Sequence, residues 1–253
     1  MKLYCVDIGN TRTHCAVVET EGGRLRVLDS ADYKSGDFAD IFAKQRLFET
    51  SGAEAVGWCS VVPAYSAAFK AVSGGVDAFQ LTHKTSPIEI DIRAPEQLGQ
   101  DRIADAVGAG YFLKPPYIVV DMGTAVTIDL VDARGRYAGG AIAPGMNAFA
   151  SYLGERAAQL PSINPADADC SLCIGKDTVE AMYVGCAKGF CKLVDGIIAD
   201  IAEEYFGGGD VARKTVFTGG SVALLPQKWL GDRLVNANLA HLGLAMAFMK
   251  NRF

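Results

Sequence analysis

The sequence predicts an α/β protein built from two copies of one domain, and three observations carry that prediction. Leu3 to Val18 (LYCVDIGNTRTHCAVV) and Tyr117 to Leu130 (YIVVDMGTAVTIDL) follow one pattern: a β-branched run ends in Asp, then come an apolar residue, Gly and, within two positions, Thr, and a second β-rich run follows. Each reads as a strand, a tight turn and a returning strand. The apolar periodicity after the first hairpin gives the element order β-β-β-α-β-α-β, and the second half opens on its own hairpin and adds a third strand. Finally, 253 residues with 50% hydrophobic content allow one large domain or two small ones, and the repeat favours two.

The paired turns also predict a chemistry. Gly9 and Gly123 can adopt φ > 0 and carry no side chain, so the turn backbone can approach a phosphate and present its N–H groups. Asp7 and Asp121 fall at strand ends, where a carboxylate can hold a cation that bridges phosphates. A nucleotide in the cleft between the two copies is the expectation.

Composition narrows the partners. A net charge of -5 and a pI near 5.3 argue against a nucleic-acid binder, which normally carries a basic patch. The opening MKLYCVDIGN has too short an apolar stretch for a signal peptide, and no run reaches the roughly 18 apolar residues of a membrane span. A cytoplasmic protein with no membrane partner is expected. Seven scattered cysteines and no export signal argue against a disulfide framework. Cys170 and Cys173 form a CxxC that, with Cys186 and Cys191, resembles a zinc set. Cys186 and Cys191 fall on a predicted helix, however, about 140° apart around its axis, which argues against a shared metal.

In chain order, a strand is expected at Leu25 to Asp29, an amphipathic helix over residues 37 to 50, a buried strand at Val56 to Val62, a helix at Tyr65 to Val72 and a strand at Ala78 to Leu81. That order resembles half of an actin-like, ribonuclease-H-like ATPase. The spacing of Ile103, Val107 and Phe112 predicts a helix beginning near Gly99, with Asp101 and Arg102 in its first turn. Two readings stay open there. Asp101 is either a helix-start residue complementing the dipole, or a general base beside Arg102 and first-turn N–H groups suited to an anionic ligand. Lys114-Pro115-Pro116 marks the expected boundary, giving domains 1–115 and 116–253.

The second half continues with a strand at Tyr137 to Ile142, a helix at Met146 to Leu160, a polar loop and a long helix capped by Asp177. Its apolar stripe is Val179, Met182, Cys186, Phe190, Leu193, Ile197, Ile201 and Tyr205. Gly185 and Gly189 on it permit close approach, either internally or at a dimer contact. A strand at Thr215 to Thr218 runs into Gly219-Gly220-Ser221 and a following helix, which fits an adenosine pocket, and an apolar helix at Leu239 to Phe248 ends the chain. His14, His83 and His241 are too separated to assign as a cluster and are read as structural.

The motifs DIGNT (7–11), PEQLGQDR (95–102), VVDMGTAVTID (119–129), GGAIAPG (139–145), GKDT (175–178) and TGG (218–220) resemble, in order and spacing, the type III pantothenate kinases of the acetate kinase, sugar kinase, Hsp70 and actin superfamily. The resemblance spans essentially the whole chain. It implies two ribonuclease-H-like domains related by duplication, with the active site between them. It also implies ATP-dependent phosphorylation of pantothenate to 4'-phosphopantothenate, the first step toward coenzyme A.

By matched position, Asp7, Ile8, Gly9, Asn10, Thr11, Arg12, Thr13 and His14 would hold the ATP phosphates, with Asp7 positioning Mg²⁺, and Thr124 would meet ATP. Gly99, Gln100, Asp101 and Arg102 would hold pantothenate, with Asp101 as proton acceptor. Asp121 would bind a monovalent cation, potassium or ammonium, and Thr178 would contact pantothenate at a homodimer interface. Where the family commonly has Tyr three residues before the Pro of PEQLG, this chain has Ile92, at the position of the pantothenate pocket. Competing expectations are another small-molecule kinase or phosphatase of the superfamily and a non-catalytic accessory regulator of transcription. Intact Asp7, Asp101, Arg102 and Asp121 speak against the regulator.

Overall fold

The computed structural model describes residues 1–157, 159–168, 171–225 and 227–252. The first half comprises β1 (Lys2–Ile8), β2 (Arg12–Glu21), β3 (Arg24–Lys34), α1 (Ser35–Lys44), α2 (Leu47–Ser51), β4 (Ala55–Ser60), α3 (Pro63–Val72), β5 (Ala78–Gln80) and α4 (Gln100–Ala109). The second comprises β6 (Tyr117–Met122), β7 (Ala125–Val131), β8 (Tyr137–Pro144), α5 (Met146–Arg156), α6 (Thr178–Met182), α7 (Gly189–Phe206), β9 (Thr215–Thr218), α8 (Gln227–Leu230) and β10 (Leu234–Val235). Helix α9 (Leu239–Arg252) closes the chain.

The duplication is written in the strand order. One sheet runs β3-β2-β1-β4-β5 and the other β8-β7-β6-β9-β10. In each, the first strand pairs antiparallel with its hairpin partner and parallel with a strand from later in the chain: β1 with β2 and β4, β6 with β7 and β9. Every residue of β4 is buried, as its uninterrupted AVGWCS predicts for an interior strand, whereas β3 is mostly exposed and forms an edge. On one face of the first sheet Phe38 and Phe42 from α1, Phe69 from α3 and Trp58 from β4 form an aromatic core, with Phe42 and Phe69 edge to face at 5.0 Å. The expected helix over 37 to 50 is broken at Gln45 and Arg46, because Arg46 turns left-handed at φ 51°.

Two compact units emerge. One contains Met1–Leu113, Gly135–Tyr137 and Asn238–Phe253, the other Lys114–Arg134 and Ala138–Ala237. The break after Leu113 lies close to the expected boundary, but the C-terminal helix belongs to the first unit rather than the second. The cause is a pair of glycines. A Cβ on Gly108 of α4 would overlap Leu239 O, and one on Gly243 of α9 would overlap Ala104 O, so the two helix backbones touch. This contact lets α9 bury Leu239, Leu242, Leu244, Ala245, Ala247 and Phe248 in the first unit.

In the second unit Asp177 caps its helix as expected, its Oδ1 accepting from Glu180 N at 2.8 Å. The helix is not uniform, because Tyr183–Lys188 forms a π-helical turn between α6 and α7. That turn shifts the phase of everything after it. Met182, Cys186, Phe190 and Val194 are buried, while Val179 and Tyr205, at the two ends of the expected stripe, are 39% and 44% exposed. Helix α5 ends at Arg156, short of Leu160, and Gly219-Gly220 is followed by a 3-10 turn rather than an α-helix. Cys170 of the CxxC lies outside the described residues. Among the described residues, no helix is long and apolar enough to cross a membrane.

Candidate active site

Strand alternation sets the first unit's site. Tyr4, Val6 and Ile8 of β1 point into the aromatic core, so Asp7 points to the opposite face. There it stands beside His14 of β2 in the antiparallel register and Cys59 of β4 in the parallel one. The Cys59 thiol donates to Asp7 Oδ1 at 3.3 Å. Burial pushes the Asp7 carboxyl up to about 6, and the Asp101 charge adds to that rise, while the thiol bond and His14 oppose it. Burial, with the Asp7 and Asp101 charges, holds the Cys59 thiol well above its ordinary range, so it remains an S–H donor.

Asp101 sits in the first turn of α4, and its neighbours fix it there. Its Oδ1 accepts from Arg102 N at 2.7 Å. A Cβ on Gly99 would come within 2.5 Å of that same oxygen, so a side chain at position 99 would push the carboxylate out of this place. Gln100 Oε1 accepts from Ser60 N at 3.0 Å and from Gln80 Nε2 at 3.2 Å, tying the helix start to β4 and β5. The Arg102 guanidinium lies 5.9 Å from the Tyr137 ring centroid. Tyr137 in turn donates its N–H to Glu89 O and accepts from Asp91 N, each at 2.9 Å, which anchors the segment carrying the half-buried Ile92.

The first hairpin turn differs from expectation in its means. Gly9 does not use positive φ; a Cβ there would meet Arg12 O at 2.9 Å. Its N–H donates to Arg12 O at 3.0 Å and closes the turn, leaving Asn10, Thr11 and Arg12 exposed at the tip. The Ile8 side chain is in the core, and Thr13 Oγ1 donates inward to Ser35 Oγ at 3.1 Å, so both side chains face away from solvent. His14 Nδ1 pairs with Asp32 Oδ1 at 2.7 Å.

The second unit repeats the arrangement. Asp121 of β6 stands beside Thr127 of β7 and Thr218 of β9. Gly123 N donates to Ala125 O at 2.9 Å, again without positive φ, and Thr124 is exposed at the tip. Gly219 does adopt the left-handed region, at φ 92°, and a Cβ there would overlap Asp121 Oδ1 and lie 2.5 Å from Met122 O. Gly145 N donates to Thr124 O at 3.0 Å, so GGAIAPG braces this turn. Thr178 is exposed at the start of α6, and a Cβ on Gly175 would overlap Ala181 N, so the GKDT loop folds onto that helix turn.

Cys59 was not singled out in the sequence as a site residue, and His241, expected to be structural, proves buried next to the site's His14 and Asp32 charges. Cys59 is visible only through the parallel register of β1 and β4. His241 of α9 is 4% exposed, and burial lowers its pKa to about 4; the His14 and Asp32 charges also act on it, in opposite directions. Among the described residues, no three His, Cys, Asp or Glu side chains converge as a metal cage. A carboxylate pressed by a like charge fits a Mg²⁺ ion that takes one or two protein oxygens and fills its other positions with water and phosphate.

The sequence model of the type III pantothenate kinase family matches residues 3–200. The chain belongs to the type III pantothenate kinase family. A type III pantothenate kinase of Dehalococcoides mccartyi is 31% identical over 99% of this chain and 97% of its own length. One from Streptomyces avermitilis is 37% identical over 80% of this chain and 81% of its own. Among solved structures, a Campylobacter jejuni protein assigned to the Baf family of transcriptional activators superposes with a TM-score of 0.66 at 19% identity, covering 98% of each chain. A Sinorhizobium meliloti protein described as a 2-dehydro-3-deoxygalactonokinase gives 0.62 at 15% identity over 99% of each. At those identities both speak for the fold alone.

Proposed function

We propose that the chain transfers the γ-phosphoryl group of ATP to the terminal hydroxyl of pantothenate, giving 4'-phosphopantothenate and ADP. The observation that carries this reading is the placement of Asp101: a carboxylate whose Oδ1 accepts from Arg102 N, at a helix start that Gln100 ties to Ser60, and close enough to Asp7 to feel its charge. Asp101 takes the hydroxyl proton as the new P–O bond forms and the bond to the ADP oxygen breaks. The Arg102 guanidinium, at the positive end of α4, suits the pantothenate carboxylate. Asp7 would hold Mg²⁺, which when bound would neutralise phosphate charge, and the exposed tip Asn10 to Arg12 offers backbone and side-chain donors to the phosphates. In this reading Thr124 meets ATP and Asp121 takes potassium or ammonium.

A homodimer completes the reading. A Cβ built on Gly185 would meet no atom within 4 Å outside its own helix turn, so the bare position serves no packing inside the described chain. The same unit exposes Ile142, Tyr152, Ile174 and Val179, an apolar set suited to a second copy that brings Thr178 to pantothenate. In this reading the protein works in the cytoplasm, where ATP and pantothenate are available. The test is incubation with ATP, Mg²⁺, K⁺ and pantothenate followed by mass spectrometry. Phosphopantothenate should accumulate with ADP; ATP binding without any such product would favour the accessory-regulator reading, and phosphorylation of a different alcohol would favour another kinase.

A further inference from the structure

We propose that Cys59 is a positioning residue for Asp7, its thiol fixing which carboxylate oxygen is offered to the metal; this rests on the kinase reading above. The thiol holds Oδ1 at 3.3 Å from β4, and Cys59 is 0% exposed, so water does not take its place. An apolar residue of similar size would leave that half-buried carboxylate oxygen without its donor. Cysteine is often a mere small filler of cores. The other sheet argues that more is required here. Its corresponding aspartate, Asp121, has Thr218 at the same parallel register position, 4% exposed and also a small side chain with a donor hydrogen. Two sheets of different sequence thus place a compact S–H or O–H group beside the strand-end aspartate, where size alone could be met by Ala or Val.

The full-length protein is compared as wild type, Cys59→Ala and Cys59→Ser. Mn²⁺ binding in the presence of ADP is followed by electron paramagnetic resonance, and the Mg²⁺ dependence of phosphorylation is measured alongside. Cys59→Ala should weaken Mn²⁺ binding by about 10-fold or more, as loss of a partner to a metal ligand does, and raise the Mg²⁺ needed for half-maximal rate while leaving the KM for pantothenate in place. Cys59→Ser should recover most of the metal affinity. Equal Mn²⁺ affinity in wild type and Cys59→Ala would overturn the proposal. If Cys59→Ala does not fold, Cys59→Thr and Cys59→Val, alike in shape but differing in the hydroxyl, make the same comparison: tighter binding by Thr supports the proposal and equal binding overturns it. Wild type that binds Mn²⁺ and ADP without phosphorylating pantothenate would defeat the kinase reading, and the binding comparison would still decide the role of Cys59.

Discussion

The Asp101 carboxylate occupies the space that a side chain on Gly99 would need, with Oδ1 2.5 Å from the Cβ position. Gly99 has φ -56°, which any residue adopts, so the glycine is required by the carboxylate and not by the backbone. Gly99→Ala should therefore fold and still bind ATP, yet lose turnover by about 100-fold, the scale of a misplaced reacting group. Circular dichroism and steady-state kinetics read the two effects separately. Unchanged turnover would show that the observed Asp101 rotamer is irrelevant to the reaction.

Helix α9 is locked to α4 by backbone contact at Gly243, where a methyl would overlap Ala104 O. Gly243→Ala should destabilise the protein by about 3 kcal/mol, the upper range for overpacking, seen as a lower urea midpoint. Gly231→Ala is an informative contrast. It has φ 52° but open space around it, so its cost is backbone strain alone and should be smaller.

Much of this was legible in the sequence and some was not, and the division is between local and long-range physics. The two hairpins, the Asp177 cap and the helix start at Gly99 follow from turn chemistry and periodicity within a few residues. The placement of α9, the Cys59 thiol beside Asp7 and the burial of His241 depend on contacts between segments far apart in the chain, for which a single sequence carries no signal. The left-handed Arg46 and the π turn at Tyr183–Lys188 override good helical patterns, which periodicity alone cannot foresee. Gly9 carries no side chain because of the proximity of Arg12 O, not because its backbone uses the positive φ that glycine allows.

His241 should make stability depend on pH. Burial lowers its folded pKa to about 4, against an ordinary value of 6.5. Between those values the unfolded chain binds more protons than the folded one, so stability falls as pH drops from 6.5 toward 4 and levels off below. The effect is on the order of 3 kcal/mol at most, from about 1.4 kcal/mol per unit. Denaturation of His241→Gln and wild type at several pH values should show the variant gaining relative to wild type as pH falls through that window. A constant difference across it would mean that His241 is not buried in its neutral form.

Asp121 should confer dependence on a monovalent cation, because a carboxylate facing phosphates is unfavourable unless a cation lies between them. Rates in potassium or ammonium should exceed rates in sodium, and Asp121→Asn should abolish the difference. Equal rates of the wild type in all three salts would remove Asp121 from that role.

The most direct measurement is ADP release with and without pantothenate, in wild type and in Asp101→Asn. Wild type should release ADP only when pantothenate is present. The variant should bind ATP normally, yet turn over about 10²- to 10⁴-fold more slowly, the usual cost of losing a general base. ADP release by wild type that is indifferent to pantothenate, or an Asp101→Asn enzyme that turns over like wild type, would contradict the assignment.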